Sequence, residues 1–79
     1  MDLFDNFAKH LIRLRENRNL SQKALAKSLD IGVHTYQRYE YGERTPPLPT
    51  LILLADFYNI SLDELVCREW RGKKTDGIA

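Results

Sequence analysis

Residues that end helices interrupt this 79-residue sequence at short intervals. Asn17 to Asn19, Asp30 to Gly32 and Gly42 can each end a helix, because Asn, Asp and Gly tolerate the left-handed backbone found at helix C-termini. Three prolines follow within residues 46–49, where each lacks a backbone donor and disfavours helix in the residue before it. Apolar residues between these interruptions recur every three or four positions, as on one face of a helix. The chain is therefore predicted to form short helices and no sheet.

The first half of the sequence predicts three helices. Residues 3–18 form the first, with Phe4, Phe7, Leu11 and Leu14 on its apolar face. Ser21 is a good N-cap for a second helix that ends at Asp30. After a tight turn at residues 30–32, a third helix is predicted over Val33–Tyr41.

The second half predicts two more helices. Pro49 suits the first turn of the fourth, whose apolar residues cover much of its circumference, so we expect this helix to be the most buried element. Asn59 and Ile60 are predicted to cap its C-terminus. Ser61 and Glu64 then predict a capping box for a short fifth helix, with Leu62, Leu65 and Val66 on its buried face. The predicted fold class is all-α, a compact five-helix bundle.

Length and composition predict a single small domain. Of the residues 43% are hydrophobic and 29% are charged, a balance typical of globular proteins. The longest apolar run, Leu51 to Ala55, is far shorter than the about 20 residues of a membrane span, and a lone cysteine, Cys67, cannot form an internal disulfide. We therefore expect a soluble cytoplasmic protein with a domain at residues 1–67 and a short, basic, flexible tail at 68–79.

The net charge of +1 conceals a segregated pattern. Residues 9–38 contain seven basic and two acidic side chains, whereas residues 39–67 contain one basic and five acidic ones. The positive field is thus concentrated in the first half, as expected for a segment that meets nucleic acid. An enzyme is not expected, because the chain has two His, one Cys and no glycine-rich phosphate loop; no cofactor or metal site is predicted either.

A helix-turn-helix pattern lies within the basic half. The twenty residues Gln22–Tyr41 comprise two short helices joined by a three-residue turn, with the small Ala26 where the helices would cross. The interior positions of the pattern are Leu25, Leu29, Ile31, Tyr36 and Tyr39.

Four segments in order then resemble one family. Residues 20–26 read LSQKALA, residues 35–42 read TYQRYEYG, residues 46–51 read PPLPTL and residues 60–65 read ISLDEL. This set resembles the phage repressor and Cro-type helix-turn-helix family, also called XRE. The resemblance implies a lambda-repressor-like bundle that acts as a bacterial or phage transcriptional regulator, a repressor, and binds a double-stranded DNA operator. Departures are Asp30 and Gly32 in the turn, where the family has Gly and then Ser or Thr, and Tyr36, where it has Ile or Val.

The resemblance also implies roles for individual residues. The third helix would enter the major groove, with base contacts from four of its side chains, Val33, His34, Gln37 and Arg38. Phosphate contacts would come from Gln22, Lys23, Thr35, Tyr41 and Arg44. Arg38 is the strongest candidate, because a guanidinium can donate two hydrogen bonds to guanine O6 and N7. Arg15 and Glu40 occupy positions that form a structural ion pair in relatives.

A weak homodimer is predicted, because one helix-turn-helix reads only part of a two-fold operator. Its surface would lie in the C-terminal half, at Leu53, Phe57, Leu62, Val66 and Trp70. The alternative for each of these residues taken alone is that its side chain covers the small core and makes no contact with a second subunit. A different function of the same fold stays open: an antitoxin, or another module that binds a toxin or regulator protein. A basic, polar outward face on the third helix favours DNA.

Overall fold

The computed structural model describes the backbone of residues 3–66 and the side chains of residues 6–66. Within that range the chain forms five helices in the order α1 (Leu3–Asn17), α2 (Gln22–Ser28), α3 (Val33–Glu40), α4 (Leu48–Tyr58) and α5 (Leu62–Leu65). The all-α prediction is confirmed for this part of the chain. The predicted tail at 68–79, Cys67 and Trp70 lie outside it.

The helix ends follow the expected chemistry. The backbone is left-handed at Asn19, Asp30 and Asn59, with φ of 57°, 58° and 57°, and Gly42 has φ of 76° just after α3. The Ser21 hydroxyl accepts a hydrogen bond from the Ala24 N–H at 2.9 Å and so caps α2. The helices end within two residues of the predicted positions; α3, for example, ends at Glu40 and not at Tyr41.

The capping box at α5 is present as predicted. Ser61 Oγ accepts from the Glu64 N–H at 3.0 Å, and Glu64 Oε1 accepts from the Ser61 N–H at 3.1 Å. Each side chain satisfies a backbone donor that the helix itself leaves free. This pair fixes where a helix of only four residues begins.

One hydrophobic core joins all five helices. It contains Phe7 and Leu11 of α1, and Leu65 of α5, together with residues of the three central helices: Leu25, Ala26, Leu29, Tyr36, Tyr39, Leu54, Ala55 and Tyr58. The predicted interior positions of the helix-turn-helix are buried, except that Ile31 is half-buried against the core. Ala26 is 1% exposed, as expected where two helices cross closely.

The expectation that α4 is the most buried element holds only in part. It buries Thr50, Leu54, Ala55 and Tyr58, but three of its apolar side chains, Leu48, Ile52 and Leu53, are exposed at 60%, 43% and 46%. The physical reason is that only one face of α4 meets the small core, although apolar residues surround the helix. Within the described residues, no helix combines the length and the apolar content required to cross a membrane.

The predicted buried face of α5 was wrong in part. Leu65 is fully buried and Val66 is half-buried, but Leu62 is 40% exposed. The helix is a single turn, and Leu65 at its end fills the core while Leu62 lies at its outer, N-terminal edge.

Candidate nucleic-acid interface

The turn between α2 and α3 is held by backbone hydrogen bonds. The Asp30 N–H donates to the Lys27 carbonyl at 3.1 Å, and the Ile31 N–H donates to the Ala26 carbonyl at 3.0 Å. Gly32 is the N-cap of α3 without a side-chain hydrogen bond, and its carbonyl accepts from the Tyr36 N–H at 3.0 Å. The two helices are therefore joined rigidly, and Tyr36 and Tyr39 anchor α3 in the core.

The outward face of α3 is polar. His34, Thr35 and Arg38 are exposed, and neither His34 nor Arg38 has a side-chain hydrogen bond to another described residue. Val33 and Gln37 are half-buried, and Val33 packs against the core. Of the four predicted base-contacting residues, the structure thus places His34 and Arg38 fully outward and the other two at the edge of that face.

The predicted phosphate-contacting residues come from α2, α3 and the segment that follows α3. Lys23, Thr35, Tyr41 and Arg44 are exposed, Tyr41 to 60%. Gln22 is half-buried, and its amide is engaged inside the protein. Four of these side chains are therefore accessible to a ligand. The fifth, Gln22, is hydrogen-bonded to another side chain of the protein.

A buried carboxylate lies behind the polar face. Glu40 is 4% exposed, and Arg15 Nε donates to its Oε2 at 2.7 Å while Arg15 Nη2 donates to its Oε1 at 3.2 Å. Arg15 Nη1 also donates to the Leu20 carbonyl at 2.8 Å. The guanidinium therefore links α1, the segment before α2 and the end of α3.

Two further donors complete the environment of Glu40. The Tyr36 hydroxyl donates to Oε2, and Gln22 Nε2 donates to Oε1 at 2.9 Å. Burial by itself raises the pKa of Glu40, but hydrogen bonds from Arg15, Tyr36 and Gln22 and the charge of Arg15 outweigh it, so the pKa of Glu40 is lowered. The hydrogen bond to Glu40 raises the pKa of Arg15. The pair is therefore ionised at neutral pH.

The sequence reasoning missed the part played by Tyr36. Burial and the bond to Glu40 raise the pKa of the Tyr36 phenol, so it acts as a neutral donor. A signal existed in the sequence: Tyr36 lies four residues before Glu40 on the same helix, where side chains meet, and it replaces an aliphatic family residue.

The pairing of the two glutamines was also missed. Gln37 Nε2 donates to Gln22 Oε1 at 3.0 Å, which connects α3 to the start of α2. These residues are fifteen positions apart in the sequence, and no local spacing rule relates them.

The predicted dimer surface is only partly exposed. Leu53 and Leu62 are exposed at 46% and 40%, whereas Phe57 and Val66 are half-buried. The Arg18 guanidinium carbon lies 5.8 Å from the ring centre of Phe57 and 5.3 Å from that of Tyr58. The exposed residues missed from the sequence are Leu48 and Ile52. We define the apolar surface as Leu48, Ile52, Leu53 and Leu62.

Within the described residues, no group of three His, Cys, Asp or Glu side chains could hold a metal ion. His34 is exposed on α3.

Two short helices joined by a rigid turn, with a polar outward face on the second, define a helix-turn-helix protein. A helix-turn-helix family model matches residues 11–65, which is more than half of the chain. The chain belongs to this family, the phage repressor and Cro-type group.

Several curated proteins are similar to this chain. The cryptic phage CTXphi transcriptional repressor RstR of Vibrio cholerae is 38% identical over 60 residues, which cover 76% of this chain and 54% of that protein. The HTH-type transcriptional regulator AnsR of Bacillus subtilis is 42% identical over 59 residues, covering 75% and 51%. ImmR, another HTH-type transcriptional regulator of Bacillus subtilis, is 32% identical over 71 residues, covering 90% and 56%.

The chain thus spans about half the length of these relatives. Their names denote transcriptional regulators and not enzymes. No solved structure matches the chain significantly.

Proposed function

We propose that this chain binds double-stranded DNA sequence-specifically through α3 and regulates transcription as a repressor in the cytoplasm of a bacterium. The observation that carries the proposal is the outward face of α3, where His34, Thr35 and Arg38 are exposed and polar while Tyr36 and Tyr39 on the opposite face are buried. The similarity to a phage repressor and to other transcriptional regulators supports the regulatory role.

Base reading rests on α3 entering the major groove. Arg38 would donate two hydrogen bonds to guanine O6 and N7, and His34 would donate to or accept from a neighbouring base. Val33, at the edge of the face, would pack its exposed part against a thymine methyl group. The Arg15–Glu40 pair supports this role because it fixes the end of α3 relative to α1.

Backbone contacts would set the position of the protein on the duplex. Thr35 lies on α3 itself, Lys23 on α2, and Tyr41 and Arg44 follow the end of α3; all four are exposed. Such contacts carry no sequence information, but they supply the salt-dependent part of the affinity. Because the net charge of the chain is only +1, we expect modest non-specific binding, and specificity must come mainly from base contacts.

The test is selection of binding sites from a random-sequence duplex library at two salt concentrations. We expect one sequence motif at both concentrations, with weaker binding but the same motif at the higher one, because salt acts on the phosphate contacts. Recovery of no motif at either concentration would contradict sequence-specific binding.

We further propose a weak homodimer through the apolar surface. Two copies would bind half-sites about 34 Å apart, one turn of the duplex. The exposure of Leu48, Ile52 and Leu53 on α4 and of Leu62 on α5 supports a protein partner at these two helices, since all four are large and apolar. The same surface favours a second candidate, in which a toxin or regulator protein occupies it and the chain acts as an antitoxin.

Sedimentation equilibrium distinguishes these occupants. The wild type should associate at high concentration, and Leu53→Lys should weaken the association by placing a charge in the contact. Asn17→Lys adds the same charge at an exposed position on α1 and should leave it unchanged. A wild type that stays monomeric with and without DNA would exclude the homodimer and leave a different protein as the partner.

A further inference from the structure

The Glu40 carboxylate fixes the orientation of the Gln22 amide. An ionised carboxylate only accepts hydrogen bonds, and an amide group has a donor end and an acceptor end. Gln22 Nε2 lies 2.9 Å from Glu40 Oε1. If the Gln22 amide were reversed, two acceptor oxygens would face each other without a hydrogen between them. The amide must therefore turn its nitrogen to Glu40 and its oxygen away from it.

The orientation of Gln22 in turn fixes that of Gln37. Gln22 Oε1 is an acceptor, and Gln37 Nε2 lies 3.0 Å from it. If the Gln37 amide were reversed, its Oε1 would face Gln22 Oε1 without a hydrogen between them. This leaves Gln37 Oε1 without a hydrogen-bond partner among the described residues. The buried charge of Glu40 thus determines which way the Gln22 amide is turned, and Gln22 determines which way the Gln37 amide is turned at the edge of the α3 outward face.

We propose that Glu40, Gln22 and Gln37 form a hydrogen-bond relay that presents the Gln37 carbonyl oxygen as a fixed acceptor to the major groove. The proposal rests on the proposed function and deepens it by assigning a specificity. An unrestrained glutamine can turn its amide and meet either donors or acceptors on the bases. Where the fixed carbonyl oxygen meets a base, it selects an amino group in the groove, that of adenine or cytosine, over the oxygen of guanine or thymine; the second hydrogen of Gln37 Nε2 stays available as a donor.

In the relay, Gln22 is a positioning residue. Gln22 would affect base selection through Gln37. This effect can be distinguished by experiment from a direct phosphate contact made by Gln22. Loss of a phosphate contact weakens binding uniformly across sequences, whereas loss of the relay relaxes one base position.

Site selection with three proteins tests the proposal: the wild type, Gln37→Met and Gln22→Met. The wild type should favour adenine or cytosine at one position of the motif, by about fivefold, the size of one net hydrogen bond. Gln37→Met identifies that position by losing the preference. Gln22→Met should lose the preference at the same position and keep the rest of the motif. A Gln22→Met protein that retains the preference and binds all sequences more weakly would overturn the relay.

A measurement without DNA separates the relay from the proposed function. The sequence contains only two glutamines, so their side-chain amide resonances can be assigned by substitution. Gln22→Met should shift the Gln37 amide protons in a ¹⁵N-resolved NMR spectrum, and Arg13→Ala, at an exposed position on α1, should leave them unchanged. An unchanged Gln37 resonance in Gln22→Met overturns the relay. If Gln22→Met shows this shift but the wild type selects no DNA motif, the proposed function is overturned and the relay is not.

Discussion

The helices α3 and α4 both bury one face in the same core, but their outward faces differ in chemistry. α3 exposes His34, Thr35 and Arg38, whereas α4 exposes Leu48, Ile52 and Leu53. Hydrogen-bonding and charged groups match the base edges and phosphates of DNA, and large aliphatic groups match another protein surface. This difference is the basis on which we propose different kinds of partner for the two helices.

The two helices are also held in different ways. The end of α3 is fixed by directional bonds to Glu40 from Arg15 of α1 and Gln22 of α2, while Tyr36 of α3 itself orients the carboxylate. α4 is held mainly by apolar packing of Leu54, Ala55 and Tyr58; Arg18 adds a contact with the Tyr58 ring and one long hydrogen bond, of 3.4 Å, to the Tyr58 carbonyl. Directional bonds determine orientation more narrowly than apolar contacts do, as a helix that reads bases requires.

The largest effect should come from breaking the ion pair behind α3. Arg15→Met leaves the Glu40 carboxylate buried without its charged partner, and we expect a loss of about 3 to 5 kcal/mol of unfolding free energy. The double variant Arg15→Met with Glu40→Leu should recover much of that loss. Urea denaturation of the wild type, both single variants and the double variant gives the coupling energy. Additive losses would show that the two charges do not interact.

Two neighbouring leucines test the division of α4 into a buried and an exposed face. Leu54 is fully buried, and Leu54→Ala should cost about 2 to 5 kcal/mol by the loss of apolar burial and the cavity left behind. Leu53 is 46% exposed, and Leu53→Ala should cost about 0.5 kcal/mol or less in the monomer. Denaturation at low protein concentration measures both. Equal losses would refute the exposed apolar surface.

A pair of tyrosines compares hydrogen bonding in the two helices. Tyr36→Phe removes a donor to the Glu40 carboxylate and should cost about 1.5 kcal/mol. The hydroxyl of Tyr58 in α4 is buried with no hydrogen-bond partner among the described residues, and burial raises its pKa to about 12. Tyr58→Phe should therefore be neutral or stabilising. Urea denaturation measures both variants. If Tyr58→Phe loses as much unfolding free energy as Tyr36→Phe, the difference in hydrogen bonding between the two tyrosines is contradicted.

The smallest effect should be the loss of stability that accompanies protonation of Glu40 at acidic pH. The lowered pKa of Glu40 means that its ionised form is favoured in the folded state, so its contribution is fully present above the ordinary, unfolded pKa of a glutamate. That contribution is lost as the pH falls through the folded value. The effect is small because burial opposes the hydrogen bonds. Thermal denaturation between about pH 6 and pH 3 should show a steeper acid loss for the wild type than for Arg15→Met with Glu40→Leu. Identical slopes would contradict the lowered pKa.

Local rules were sufficient to predict the helices and most of their ends. Ser21, Asp30 and Asn59 cap or end helices by bonds and backbone angles that depend on a few adjacent residues. The interior of the helix-turn-helix was equally predictable, because apolar spacing on short helices determines which side chains turn inward.

What the sequence did not predict depends on contacts between distant residues. Hydrophobic spacing cannot show that only one face of α4 would be covered, because coverage depends on how much core the other helices supply. The Gln22–Gln37 bond joins two helices across the turn and follows from their packing angle. The Arg15–Glu40 pair was expected only through the family resemblance, as the residues are twenty-five positions apart.

The most direct test of the central claim, that the outward face of α3 reads bases, is the ratio of affinities for the selected site and for unrelated duplex. Arg38→Ala should lower binding to the selected site by about 1 to 3 kcal/mol and affect unrelated duplex much less. Arg13→Ala, which removes the same exposed charge from α1, should leave the ratio unchanged. If Arg38→Ala keeps the wild-type ratio, α3 does not read the sequence through Arg38, which contradicts base reading by its outward face.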